Sequence, residues 1–174
     1  VEAAQGLMDR LLAAGVRTKI DLSDKAPGWK FAEYEMRGVP LRVEIGPKDM
    51  EKEQCCIARR DTGEKIFVPL AELESAVAKL LDDIHENMFA MAKKNLDDNT
   101  FTAETWEEVK ALIEKNGGGF VHTKWCGSLD CELAMKDKVG VSSRCMPLNQ
   151  SGTTGKCPVC GKECATDIIW GVAY

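Results

Sequence analysis

Two cysteine pairs constrain this chain more than any other feature. Cys126 and Cys131 form a C-x4-C pair, Cys157 and Cys160 form a C-x2-C pair, and 25 residues separate the two. A tetrahedral zinc site needs four soft ligands, and two short loops that each bring two sulfurs to one point supply them. The segment CPVCG suits such a loop, because its amides can point at the sulfurs and Gly161 permits a tight turn. The spacing therefore predicts a structural Zn2+ held by Cys126, Cys131, Cys157 and Cys160. Buried free thiols or a disulfide pair are the other readings. Four thiolates leave no open position, so such an ion would be structural and not catalytic. Cys145 and Cys164 are spare. Cys55 and Cys56 fall on a strand pattern, which sends one to the core and the other to the opposite face.

Periodicity divides the rest. Val1–Ala14 reads as a helix with Leu7, Leu11 and Leu12 on one face, and Gly15 suits its cap. Val16–Leu22 alternates like a strand, Trp29–Arg37 reads as a short helix, and Val39–Ile45 as a second strand that Gly46-Pro47 breaks. Gln54–Arg60 and Lys65–Val68 pair as a hairpin across Asp61-Thr62-Gly63-Glu64. Leu70 to about Leu96 is a long helix with Leu73, Val77, Leu80, Leu81, Ile84, Met88 and Met91 on one stripe. Asp97–Thr102 reads as a polar link, Thr102–Asn116 as another helix, and Phe120 opens a second, cysteine-bearing domain. The order predicts an α/β domain with a mixed sheet flanked by helices, residues 1–96, followed by a small α+β zinc-binding domain, residues 97–174. A sheet of this kind usually starts with a strand covered by the first helix. None precedes Val1, so the chain is expected to be a C-terminal fragment.

The most densely functional stretch runs from Gly28 to Lys65. Trp29, Phe31 and Tyr34 alternate with charged residues at the joints between elements, where binding groups are usually displayed. Aromatics beside hydrogen-bonding charges suit unstacked nucleic-acid bases, which need a stacking surface and a partner for their edges. A solvated mixed-charge face over a small core is the competing reading. The formal net charge is −5, yet nine basic residues meet eight acidic ones between Lys25 and Lys65. A few placed contacts fit that balance better than a broad electrostatic footprint. No apolar run approaches a membrane span, and VEAAQGLMDRLL lacks the regions of a signal peptide. Thiols or metal ligands therefore suit the eight cysteines better than a disulfide framework.

No active site is legible. His85 and His122 are the only histidines, no glycine-rich phosphate loop precedes a helix, and GTTGK at Gly152–Lys156 lacks the context of one. No nucleophile–base pair stands out.

PGWKF, GVPLRVEIGPKD and RRDTGEK, in this order, resemble the anticodon-binding domain of class II aminoacyl-tRNA synthetases. CGSLDC, CPVC and the ending WGVAY extend the resemblance, over nearly all of the chain, to prolyl-tRNA synthetases of the archaeal and eukaryotic type. That resemblance implies tRNA(Pro) as partner, a missing catalytic domain that uses ATP and Mg2+, a homodimeric whole enzyme and a cytoplasmic setting. It implies the same four cysteines as zinc ligands. It places anticodon contacts at Phe31, Glu35, Arg42, Lys48, Asp49 and Lys65, and sends the Tyr174 carboxylate toward the catalytic domain. Proline anticodons carry two adjacent guanines. Glu35 or Asp49 can accept from a guanine N1–H and N2–H2 edge, Arg42 or a lysine can donate to O6 and N7, and Phe31 can stack. The arginine-bearing class II signature motifs are absent, so the chain alone is expected not to aminoacylate. A free-standing tRNA- or protein-binding module, and a redox or metal-handling protein using the spare cysteines, are the alternatives.

Overall fold

A computed structural model describes residues 1–172. It divides into two compact units, Val1–Ala92 and Lys93–Tyr174. In the first, helix α1 (Glu2–Ala13) is followed by α2 (Pro27–Met36), strand β1 (Leu41–Glu44), the short helix α3 (Pro47–Glu51), the hairpin β2 (Gln54–Arg59) and β3 (Lys65–Pro69), and the long helix α4 (Leu73–Asp98). The sheet order is β1-β2-β3, antiparallel throughout. Leu7 and Leu11 of α1 and Leu73, Val77 and Leu80 of α4 bury against Cys55 and Ile57 of β2 and Val68 of β3. Arg10 bridges the two helices, meeting Glu74 at 2.6 Å and the Leu70 carbonyl at 2.6 Å.

Three expectations fail here: the strand at Val16–Leu22, the mixed sheet and the full length of the buried stripe on α4. Val16–Leu22 joins no ladder among the described residues. Its burial alternates, with Val16, Thr18 and Ile20 half-buried and Arg17 and Lys19 exposed. Alternation reports which side meets the core, not whether a neighbouring strand stands alongside. The expected mixed sheet is therefore antiparallel. The strand ends at Glu44, just before the break expected at Gly46-Pro47, and Pro47 then opens α3, because proline's fixed φ suits the first helical position. Met88 and Met91, expected on the buried stripe of α4, are 46% and 60% exposed.

In the second unit, β4 (Thr100–Thr102), α5 (Trp106–Asn116), β5 (Phe120–Trp125), α6 (Leu129–Val139), β6 (Val141–Cys145), the small hairpin β7 (Gly155–Lys156) and β8 (Glu163–Cys164), and β9 (Thr166–Val172) follow. The main sheet is mixed, ordered β4-β5-β9-β6, with β4 parallel to β5 and the other pairs antiparallel. Its core gathers Val109, Ile113, Val121, Met135, Val141, Ile168 and Trp170. The Trp170 indole N–H donates to Thr123 Oγ1 at 2.8 Å, so the largest buried side chain leaves no polar atom unpaired. The polar link expected at Asp97–Thr102 is instead the last turn of α4 and the edge strand β4. Pairing across about 20 residues leaves no local trace. The helix expected from Thr102 starts at Trp106, where Thr105 and Glu108 form a capping box. No described helix is long and apolar enough to cross a membrane.

Two predictions follow from packing. Gly119 has φ +108°, and a Cβ there would lie 2.7 Å from the Asn99 carbonyl oxygen. Gly119→Ala should cost at least about 1–3 kcal/mol, the usual range for such backbone strain, read by denaturant unfolding. The Asp61 side chain is 3% exposed and accepts from Arg59 at 2.7 and 3.0 Å and from Asn87 at 2.7 Å. Arg59 above all, against the opposing effect of burial, holds its pKa down from 3.8 to about 2. Its contribution to stability is present above pH 4 and is lost as pH falls toward 2. The stability gap between wild type and Asp61→Asn should therefore be full at neutral pH and close between pH 4 and 2. A gap that stays constant over that range would disprove the pairing.

Candidate nucleic-acid interface and metal centre

Strand alternation builds the first site. Leu41 and Val43 of β1 pack with the core, so Arg42 and Glu44 stand on the opposite face. The register sets Arg42 beside Ala58 and Glu44 beside Cys56, and then Ala58 beside Lys65 and Cys56 beside Phe67. Above this face α2 presents Phe31 and Glu35, four residues apart and so on one side of the helix. The Arg42 guanidinium donates to Glu35 at 2.7 Å through Nη1 and to Glu44 at 2.9 Å through Nε. It also lies 3.7 Å from the centre of the Phe31 ring. Lys65 Nζ is 3.4 Å from Glu44 and 5.8 Å from the same ring. Burial works against the charge on Arg42, but its two carboxylates outweigh that and its pKa is raised. Burial, then Glu44, pushes the Cys56 thiol up, so Cys56 is an inert floor for the cluster.

Phe31, Glu35, Arg42 and Lys65 thus meet. One face of Phe31 already carries Arg42, so an incoming base has the remaining ring face or the guanidinium plane to stack on. Arg42 keeps further N–H donors free, and the Glu35 carboxylate is half exposed. Donor and acceptor stand side by side, as the edge of a guanine requires.

Lys48 and Asp49 stand differently. Both lie on α3, and the Asp49 carboxylate accepts the Gly46 N–H at 3.0 Å, which caps that helix. Its charge is felt at Cys55 and Cys56, toward the Glu44 end of the sheet. Lys48 is exposed, and among the described residues no ion pair joins it to the Arg42 cluster. Tyr174 lies outside the described residues. Glu44, which ties Arg42 to Lys65, was missed as a site residue. Its position two residues from Arg42, on the same strand face, was the available signal.

The second site is the cysteine cluster. The four Sγ atoms of Cys126, Cys131, Cys157 and Cys160 all lie within 4.8 Å of one another. A tetrahedron of sulfurs about 2.3 Å from a metal has edges of about 3.8 Å, so small movements close it. Cys126 follows β5 and Cys131 sits in the first turn of α6. Cys157 and Cys160 sit in the turn joining β7 to β8. There Gly161, with φ +71°, donates to the Cys157 carbonyl at 2.9 Å, and the Cys157 amide donates to Lys162 at 2.9 Å. Burial pushes Cys157 up, but the amides of Cys160 and Val159 pull the balance down to about 7. Burial, with the neighbouring Cys126 and Cys160 thiols, pushes Cys131 up to about 12. Thiols that oppose one another's ionisation at such range suit a cation in their midst. The donor set therefore fits a metal ion. Cys164 lies outside the four but is pushed up by burial and by their charge, and Cys145 is exposed. Cys55 and Cys56 are buried on opposite faces of β2, as alternation requires.

Known proteins match both regions. Residues 1–80 match the family model "Anticodon binding domain", and residues 106–174 match "Prolyl-tRNA synthetase, C-terminal". A proline–tRNA ligase of Clostridium novyi is 48% identical over 174 residues, covering 100% of this chain and 36% of that protein. A proline–tRNA ligase 2 of Bacillus cereus is 48% identical over 158 residues, covering 91% of this chain and 33% of that protein. A proline–tRNA ligase of Clostridium botulinum is 47% identical over 174 residues. The chain spans about a third of the length of the curated relatives it matches.

The cluster predicts one chelatable metal ion per chain. Cys157→Ser should remove it and unfold the second unit, because binding and folding energy are shared at such sites. Elemental analysis of reduced protein, with thermal unfolding before and after chelation, reads both. Metal-free protein with an unchanged unfolding transition would reject the site.

Proposed function

From the match of residues 1–80 to an anticodon-binding domain and of residues 106–174 to the C-terminal part of prolyl-tRNA synthetase, we propose that the chain reads the anticodon of tRNA(Pro) and forms the C-terminal, zinc-bearing part of the ligase that joins proline to that tRNA. The observation that carries this reading is the cluster of Phe31, Glu35, Arg42 and Lys65 around Glu44, on the solvent side of the first sheet. It lies within the residues that match the anticodon-binding family model. In this reading residues 1–96 bind the anticodon and residues 97–174 form the zinc domain. Cys126, Cys131, Cys157 and Cys160 hold a Zn2+ that fixes the two loops and performs no chemistry. ATP, Mg2+ and the amino acid belong to a catalytic part of the same enzyme, which works as a cytoplasmic homodimer. Lys48 and Asp49 complete the anticodon surface once RNA is bound, Asp49 through whichever carboxylate lone pairs its cap leaves free. The Tyr174 carboxylate reaches toward the catalytic part.

The mechanism is recognition, and the chain's own groups supply it. Glu35 and Glu44 hold Arg42 flat and charged, so little side-chain freedom remains to be lost on binding. Arg42 donates to guanine O6 and N7, Glu35 accepts from N1–H and N2–H2, and the Phe31–Arg42 stack supports the ring. Each guanine-edge contact should be worth about 1–3 kcal/mol, by analogy with bidentate contacts in duplex DNA.

Arg42→Ala should therefore lower affinity for tRNA(Pro) by about 5- to 150-fold. It should also flatten discrimination at one anticodon base. Binding of this chain to tRNA(Pro) transcripts with each anticodon guanine replaced in turn measures this, and aminoacylation by the full-length enzyme repeats it as kcat/KM. If Arg42→Ala loses the same factor on every transcript, Arg42 is a backbone contact or a fold residue and not a base reader.

A further inference from the structure

The hairpin turn between β2 and β3 carries two arginines that base reading leaves unused. Between the end of α2, β1 and this turn lies a concavity of about 50 Å3, whose polar lining is Glu35, Arg42, Arg59, Arg60, Gly63 and Lys65. Four of those side chains are cationic and one is a carboxylate. Counting the partners behind them, Glu44 and Asp61, four positive charges face three negative ones. The surplus is at Arg60. Its amide donates to the Pro40 carbonyl at 3.0 Å, which fixes where the hairpin crosses the start of β1. Its side chain is exposed and has no ion-pair partner among the described residues. Arg59 is the opposite case. Asp61 holds it in a two-pronged grip at 2.7 and 3.0 Å, and Asn87 of α4 holds Asp61. The floor of the concavity is thus rigid and its outer lip carries a free guanidinium.

Size and charge choose between ligands. The volume admits about four water-sized atoms, which matches a phosphate group and not a nucleobase. The carboxylates here are already taken, Glu35 by Arg42 and Asp61 by Arg59, so the Arg60 side of the concavity offers donors alone, which suits an anion, whereas a base edge needs matched donors and acceptors. We propose that this concavity is a phosphate subsite that takes a phosphodiester of the tRNA anticodon-loop backbone, with Arg60 as its charged donor and Arg59 as the residue that shapes it. The proposal rests on the anticodon reading, in which Arg42 and Glu35 at the rim hold a base. A phosphate seated beside them sets the position of the nucleotide they read.

The test is the affinity of this chain for tRNA(Pro), and for transcripts with each anticodon guanine replaced, over a fourfold range of KCl. Wild type, Arg60→Ala, Arg60→Lys and Arg42→Ala are compared. Arg60 has no partner to lose, so its variants should fold. Arg60→Ala should weaken all transcripts by one common factor and reduce the slope of log affinity against log salt by about 0.7, the value for one phosphate contact in a single strand. The ratio of wild-type to variant affinity should then fall about 2.6-fold across the fourfold range. Arg60→Lys should restore the slope. An unchanged slope in Arg60→Ala, or a loss confined to one transcript, overturns the subsite. If Arg42→Ala is base-selective while Arg60→Ala is silent, only the subsite is wrong; if both are silent, the anticodon reading fails as well. Inorganic phosphate titrated into the chain separates the remaining source. Saturable phosphate binding that Arg60→Ala abolishes, with the tRNA slope unchanged, would assign the concavity to a free anion and overturn the tRNA assignment.

Discussion

The architecture of the first unit turns on β2 being buried on both faces. Cys55 and Ile57 point into the core of α1 and α4, while Cys56 and Ala58 on the other face are 6% and 7% exposed. A three-stranded sheet with one helical layer would normally leave that second face to water. Here small residues form a floor, and the stem of Arg42 lies over it beside Ala58. A larger side chain at Ala58 would lift the guanidinium away from the Phe31 ring, and the contacts to Glu35 and Glu44 would go with it. A packing choice on one strand thereby places the only arginine that meets a ring and two carboxylates at once among the described residues.

The charge network that results is preorganised and not especially stabilising. Exposed ion pairs contribute about 0–1 kcal/mol, and Glu35 is half exposed. Their effect is to remove rotamer freedom from Arg42 and Lys65 before a ligand arrives. The deeper pair, Arg59 with Asp61, serves a different end. It locks the turn of the hairpin to α4 through Asn87, so the edge of the face that carries Arg42 inherits the rigidity of the core.

The second unit solves a different problem with the same economy. Its hydrophobic core lies on one side of a four-stranded sheet, and the loops before α6 and between β7 and β8 have little apolar surface of their own. Val159, between the two cysteines of the second loop, packs against that core. Lys124 bonds Asp167 at 2.6 Å and Ser151 at 2.8 Å, which pins the segment leading into β7. These contacts bring the loops near each other. The four sulfurs within 4.8 Å of one another then form a donor set that fits a metal ion.

By itself the sequence determined the parts whose signals are local. Helical spacing marked α1 and α4, the Asp61–Glu64 turn marked the β2–β3 hairpin, and cysteine spacing marked the four clustered thiols. Alternation told Arg42 from Leu41 and Val43, and put Cys55 and Cys56 on opposite faces. Phe31, Glu35, Arg42 and Lys65 came from the family resemblance, and the fold brings them together. Tertiary structure alone decided whatever depends on partners far along the chain. Val16–Leu22 alternates but finds no strand to pair with, and Thr100–Thr102 looks like a linker yet pairs with Phe120–His122. Glu44 lies two residues from Arg42, but its second partner, Lys65, arrives from two strands away. The physical reason is common to these three. Periodicity encodes which side of an element faces the core, whereas ladders, caps and ion pairs are set by which other element the fold brings alongside.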